Sequence, residues 1–111
     1  MNESKQFKLR ADEIKKLVPP MGGCFCTDHI TVRGLPVGYM YREEPDNNID
    51  SGWSFFSGTE SQEYLDDSAN TSLYDVNTVA NYDPAIIPYL DSAVGTQLER
   101  VSGTNQFRKV Q

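Results

Sequence analysis

Proline and glycine divide this chain so often that no regular element in it can be long. Pro19-Pro20, Gly22-Gly23, Arg33-Gly34, the polar run from Pro45 to Gly52, Gly58-Thr59, Pro84 and Pro88 each end or confine a segment. Short strands and short helices remain, and 111 residues leave room for one small domain with one core. Aromatic residues make up 11% of the chain, enough to anchor that core, and the composition is not that of a disordered chain.

Within these limits the side-chain pattern predicts the elements. Phe7, Ala11, Ile14 and Val18 recur at helical spacing with Arg10, Lys15 and Lys16 facing away, which predicts a helix over 11–17. Residues 3–9 could be extended. Residues 24–32 read as a strand, Arg33-Gly34 as a turn and 36–42 as the returning strand of a hairpin. Residues 53–57 read as a further strand. Thr59-Glu60-Ser61-Gln62 matches a capping box for a short helix that buries Tyr64 and Leu65. Asp66 to Ser72 is a loop and Leu73 to Val76 a short strand. Asn77 caps a helical turn through Tyr82, and Asp83-Pro84 starts another turn with Ile86, Ile87 and Leu90 inward. Residues 96–101 alternate as a last strand, and the tail 102–111 is expected to be loose. The expected fold is α+β: a mostly antiparallel sheet with short flanking helices, ordered over about 7–101.

Charge is segregated along the chain. From Glu43 to Glu99 there are twelve acids and no Lys, Arg or His, while the remainder holds all ten cations and four acids. The net charge of −6 is thus −12 in one part and +6 in the other. An acidic balance argues against nucleic acid as a partner, because that binding needs a cationic surface. It also marks the acidic stretch as a candidate interaction surface. No apolar run is long enough to span a membrane. The polar start Met1-Asn2-Glu3-Ser4-Lys5 lacks the apolar stretch of a signal peptide, so a cytoplasmic location is expected. Cys24 and Cys26 read as free thiols.

A search for chemistry finds no enzyme signature. His29 is the sole histidine, and in an extended segment it faces away from Cys24, Cys26 and Asp28. Two thiols and one imidazole are too few for a closed zinc site, and no phosphate-binding glycine motif is present. Asp46, Asn48 and Asp50 match the first ligand positions of a calcium loop. Ser51 stands where its glycine belongs and Ser57 where its bidentate Glu belongs, so a polar turn is the favoured reading. No cofactor and no metal are expected. The aromatic residues of the acidic stretch could anchor a partner, since Trp and Tyr dominate binding hot spots. Phe55, Phe56 and Tyr82 are expected in the core, with Trp53 and Tyr64 open to either role.

The run Gly38-Tyr39-Met40-Tyr41-Arg42-Glu43-Glu44-Pro45-Asp46, followed by Asp50-Ser51-Gly52-Trp53-Ser54-Phe55-Phe56-Ser57-Gly58, forms a distinctive series. Tyr64-Leu65-Asp66-Asp67, Asn77-Thr78-Val79-Ala80-Asn81-Tyr82-Asp83-Pro84, Ile86-Ile87-Pro88 and Leu90-Asp91 continue it. Together these motifs resemble a bacterial domain-of-unknown-function family also catalogued as an immunity protein family, the one numbered thirty-three, of polymorphic toxin systems. The resemblance covers roughly residues 7–101. Where that family carries an acidic Gly-Asp-Glu-type motif, this chain reads Gly58-Thr59-Glu60. The resemblance implies a non-catalytic protein that binds and neutralises a cognate protein toxin in the cytoplasm. An acidic surface would suit a toxin with a cationic one. The contact candidates are Glu43, Glu44, Asp46, Asp50, Trp53, Glu60, Glu63, Asp66 and Asp67. The alternatives are a small interaction or regulatory module and a cation-binding protein using the 46–50 loop.

Overall fold

The computed structural model describes residues 5–110; positions 1–4 and 111 lie outside it, and with them the ends of the expected 3–9 run and of the tail. Six strands form one sheet in the order β4-β1-β3-β2-β5-β6. They are β1 (Gly23–Thr27), β2 (Tyr39–Arg42), β3 (Asp50–Phe56), β4 (Thr71–Asp75), β5 (Gln97–Arg100) and β6 (Phe107–Lys109). Only β1 and β3 run parallel; every other neighbouring pair is antiparallel. Three short helices accompany the sheet: α1 (Asp28–Thr31), α2 (Gln62–Asp66) and α3 (Val76–Tyr82). The fold is the expected α+β.

The core lies on one face of the sheet. Cys26, Phe55, Met40 and Leu98 are successive register partners across β1, β3, β2 and β5, and all are buried. Onto them α3 turns Val76, Val79 and Ala80, the i, i+3, i+4 stripe of an amphipathic helix. Ile86 and Leu90, at the 3-10 segment Pro84–Tyr89, complete the layer, while Ile87 is half-buried. Trp53 is wholly buried, and its indole N–H donates to the Leu90 carbonyl at 3.1 Å. The register between β1 and β3 jumps between Gly23/Asp50 and Phe25/Ser54, a bulge centred near Gly52. Gly52 has φ +85°, and a Cβ there would lie 2.1 Å from the Glu43 carbonyl oxygen, so only glycine fits.

Several expectations are corrected. Residues 11–17 are not a helix. Ala11–Glu13 makes a single 3-10 turn, Ile14 is extended, and Leu17 stays exposed. The Asn77 and Asn81 amides accept from the backbone N–H groups of Lys15, Leu17 and Val18 and donate to the Lys15 carbonyl. A helix would have consumed those groups internally. Asn77 is therefore a clip inside α3, and Asp75 occupies its N-cap position. The 24–32 strand stops at Thr27, where α1 begins. β1 and β2 form no hairpin, because β3 lies between them and pairs with both. The helix after residue 60 is capped by Ser61, whose hydroxyl accepts from the Tyr64 N–H, and Glu60 turns inward instead. Phe56 is only half-buried, on the side of the sheet away from the core. The expected loose tail contains β6, which pairs with β5 and buries Phe107.

Candidate functional site

Strand alternation gives the sheet a second face, which the α3 layer does not cover. Tyr39, Tyr41 and Phe56 meet there, with Tyr41 stacked on Phe56 at a centroid distance of 5.6 Å. Leu65 and Thr71 wall one side of this aromatic floor, making a hollow of about 670 Å³. Beyond it, Phe25 of β1 and Leu73 of β4 are register partners, 48% and 69% exposed. Ile49, 77% exposed, closes a second hollow of about 580 Å³ around them. A third, of about 660 Å³, runs from Tyr41 to Val94.

Carboxylates gather at one end of this face. Asp46, Asp50 and Asp75 line the hollow around Phe25, and Glu43, Glu44 and Asp46 line the one beside Tyr41. Among the described residues, none of these five forms an ion pair. The two cations bounding the acidic stretch are committed elsewhere. Arg42 donates to the Ser51 and Ser92 carbonyls at 2.9 Å and lies over Trp53. Arg100 pairs with the buried Asp83 and donates to the Val37 carbonyl. Arg42 is held by the scaffold but also lines the hollow beside Tyr41, whereas no cation lines the hollow around Phe25.

The contact candidates from the sequence divide into three groups. Glu43, Glu44, Asp46 and Asp50 come together on the open face. Glu63, Asp66 and Asp67 are exposed on or just after α2, in none of the three hollows. Trp53, 0% exposed, is corrected to a buried scaffold position, while Glu60, its side chain 2% exposed, lies at the inner wall of the hollow over Tyr39 and Phe56. Phe25, Leu73, Ile49 and Asp75 were missed. The available signal was an isolated Phe between two small Cys residues, which places a large ring opposite the buried thiols.

Glu60 accepts from the Thr27 hydroxyl at 2.5 Å and from the Ser57 and Gly58 N–H groups. Burial pushes its carboxyl up, but these bonds outweigh burial and hold it below the usual carboxylate range. His29 sits beside it. Its Nδ1 lies 2.9 Å from Ser57 Oγ and 3.7 Å from the Glu60 carboxylate, while Nε2 faces Arg33 at 3.4 Å. A nucleophile–base–acid relay needs hydroxyl and carboxylate on opposite ring nitrogens, and here both share one. The cluster is a knot joining α1 to the turn after β3.

The 46–50 loop is closed by its own acids. Asp50 accepts from the Asp46 and Gly52 N–H groups, which hold its carboxyl below the usual range. Asn47 accepts from the Ile49 N–H. Among the described residues, no three His, Cys, Asp or Glu side chains gather as a metal site would need.

Burial drives both thiols well above their usual range, with neighbouring acids adding to it. The thiolate is the reactive species. A chromogenic disulfide reagent at pH 8 is therefore expected to leave Cys24 and Cys26 unlabelled in the native protein. It should label both once denaturant is added; labelling at native concentrations of the folded state would contradict their burial.

No helix among the described residues is long and apolar enough to cross a membrane. No curated protein and no solved structure matches the chain. The family described as the Immunity protein Imm33 domain does match, over residues 24–111, from the first core residue of β1 past the β6 edge. That span takes in the whole sheet but for Gly23, together with its open acidic face, and the chain belongs to the Imm33 family of immunity protein domains.

Proposed function

We propose that this chain is a non-catalytic cytoplasmic immunity protein that binds and neutralises a cognate protein toxin with a cationic surface. Family membership is the observation that carries the reading. The uncompensated carboxylates support it, since a one-sign face attracts and orients an oppositely charged partner. Glu43, Glu44, Asp46 and Asp50 are the primary contacts, with Glu63, Asp66 and Asp67 as a second exposed group. Trp53 and Glu60 act by holding the scaffold. Neutralisation here means occlusion: the inhibitor covers the toxin's cationic working surface and transforms nothing.

The test is co-expression with the product of the adjacent gene. That product alone should arrest growth, this chain should restore it, and the two should co-purify. A harmless neighbour, or a toxic one that this chain neither binds nor counters, would end the proposal.

A further inference from the structure

We infer that the hollow around Phe25, Leu73 and Ile49 is the anchor point for the toxin, and that its occupant is an exposed arginine or lysine side chain of that partner. This rests on the immunity reading above. The three apolar side chains are 48%, 69% and 77% exposed, come from two strands and a loop, and line one hollow. An apolar patch left open on a small domain is a contact surface in waiting. Its rim is acidic: Asp50 and Asp75 are the register partners of Gly23 from either side, so two carboxylates flank a floor that carries no side chain. Asp46 adds a third, and no cation lines the hollow.

Aliphatic and aromatic walls with carboxylates at the rim match a long basic side chain. Its methylene stem lies on the apolar wall and its charged head meets the acids. The same charge argues against a second copy of this chain. Two such faces would bring carboxylate against carboxylate, at a cost that the apolar contact alone must overcome.

The experiment is calorimetric titration of the purified toxin domain encoded beside this chain. The variants are Phe25→Ala/Leu73→Ala, Asp46→Asn/Asp75→Asn and, as a control, Leu17→Ala on the N-terminal segment clipped to α3. Urea melts verify that each variant folds, as expected where most of the truncated surface is already in water. Both double variants should weaken binding about tenfold or more, as central anchors do. Repeated at rising salt, the titration should show a flatter loss of affinity for the charge variant than for the parent. Leu17→Ala should bind as the parent does. Parent binding with both double variants unaffected would overturn the anchor and leave the immunity reading intact. A homodimer dissolved by the Phe25/Leu73 variant would also overturn it, by making a second copy the occupant. A parent chain that does not bind would remove the proposed function and this inference with it.

Discussion

Replacing Glu60 with alanine should destabilise the fold by about 3 kcal/mol, because it strips a buried carboxylate from charge-assisted hydrogen bonds and orphans their donors. The buried Thr27 hydroxyl and the half-buried Ser57 N–H would lose their acceptor, while the exposed Gly58 N–H could turn to water. The effect has a definite pH signature. The folded carboxyl is held below its ordinary value of 4.5, so the folded state favours the ionised form. The stabilisation is complete above the unfolded value and is lost as pH falls through the lower folded value. Urea melts from pH 7 down to pH 3 should show the parent losing stability in that acid window more steeply than Glu60→Gln does. A Glu60→Ala variant as stable as the parent but unable to bind the toxin would return Glu60 to the contact surface.

Asp83→Ala should cost about 3–5 kcal/mol, the range for removing one partner of a buried ion pair. The carboxylate accepts from the Val37 and Ala85 N–H groups and pairs with Arg100. Arg100 in turn donates to the Val37 and Thr104 carbonyls and lies over the Phe107 ring at 4.8 Å. This one pair therefore joins the 3-10 segment, the approach to β2 and the β5–β6 hairpin. Without it the guanidinium stays largely buried and uncompensated. For a domain of this size the thermal midpoint should fall by about 15 °C or more. Adding Arg100→Met should recover part of the loss, since the stranded charge goes with it. A double variant worse than Asp83→Ala by the full cost of Arg100→Met alone would show that the two groups act independently.

Local chemistry was legible wherever a residue's role depends on its near neighbours. Asp83-Pro84 starts a helical turn as expected, with the Asp83 side chain accepting from the Ala85 N–H. The alternation of 53–57 correctly set Trp53 and Phe55 on one face and Phe56 on the other. The same alternation did not say which face the core would take, and Phe56 ended on the open one. Residues 11–17 misled because a helical period is only a preference. The asparagines of α3, some sixty positions later, satisfy that backbone in an extended form instead. The open face was hidden for a related reason: Phe25, Ile49 and Leu73 are far apart in sequence and meet only through the β1–β3 and β1–β4 registers.

By itself the sequence determined the α+β class, the strand around 53–57, the helical turn begun by Asp83-Pro84, the free thiols and the division of charge into −12 and +6. These follow from backbone restrictions and composition, which act within a few residues. Only the tertiary structure decided that β3 enters between β1 and β2, that Glu60 and Trp53 turn inward, and that the tail adds an edge strand. It alone brought Asp50 and Asp75 to either side of Gly23. Several strand orders satisfy the same alternation, and the choice among them comes from long-range burial and pairing that no local pattern encodes.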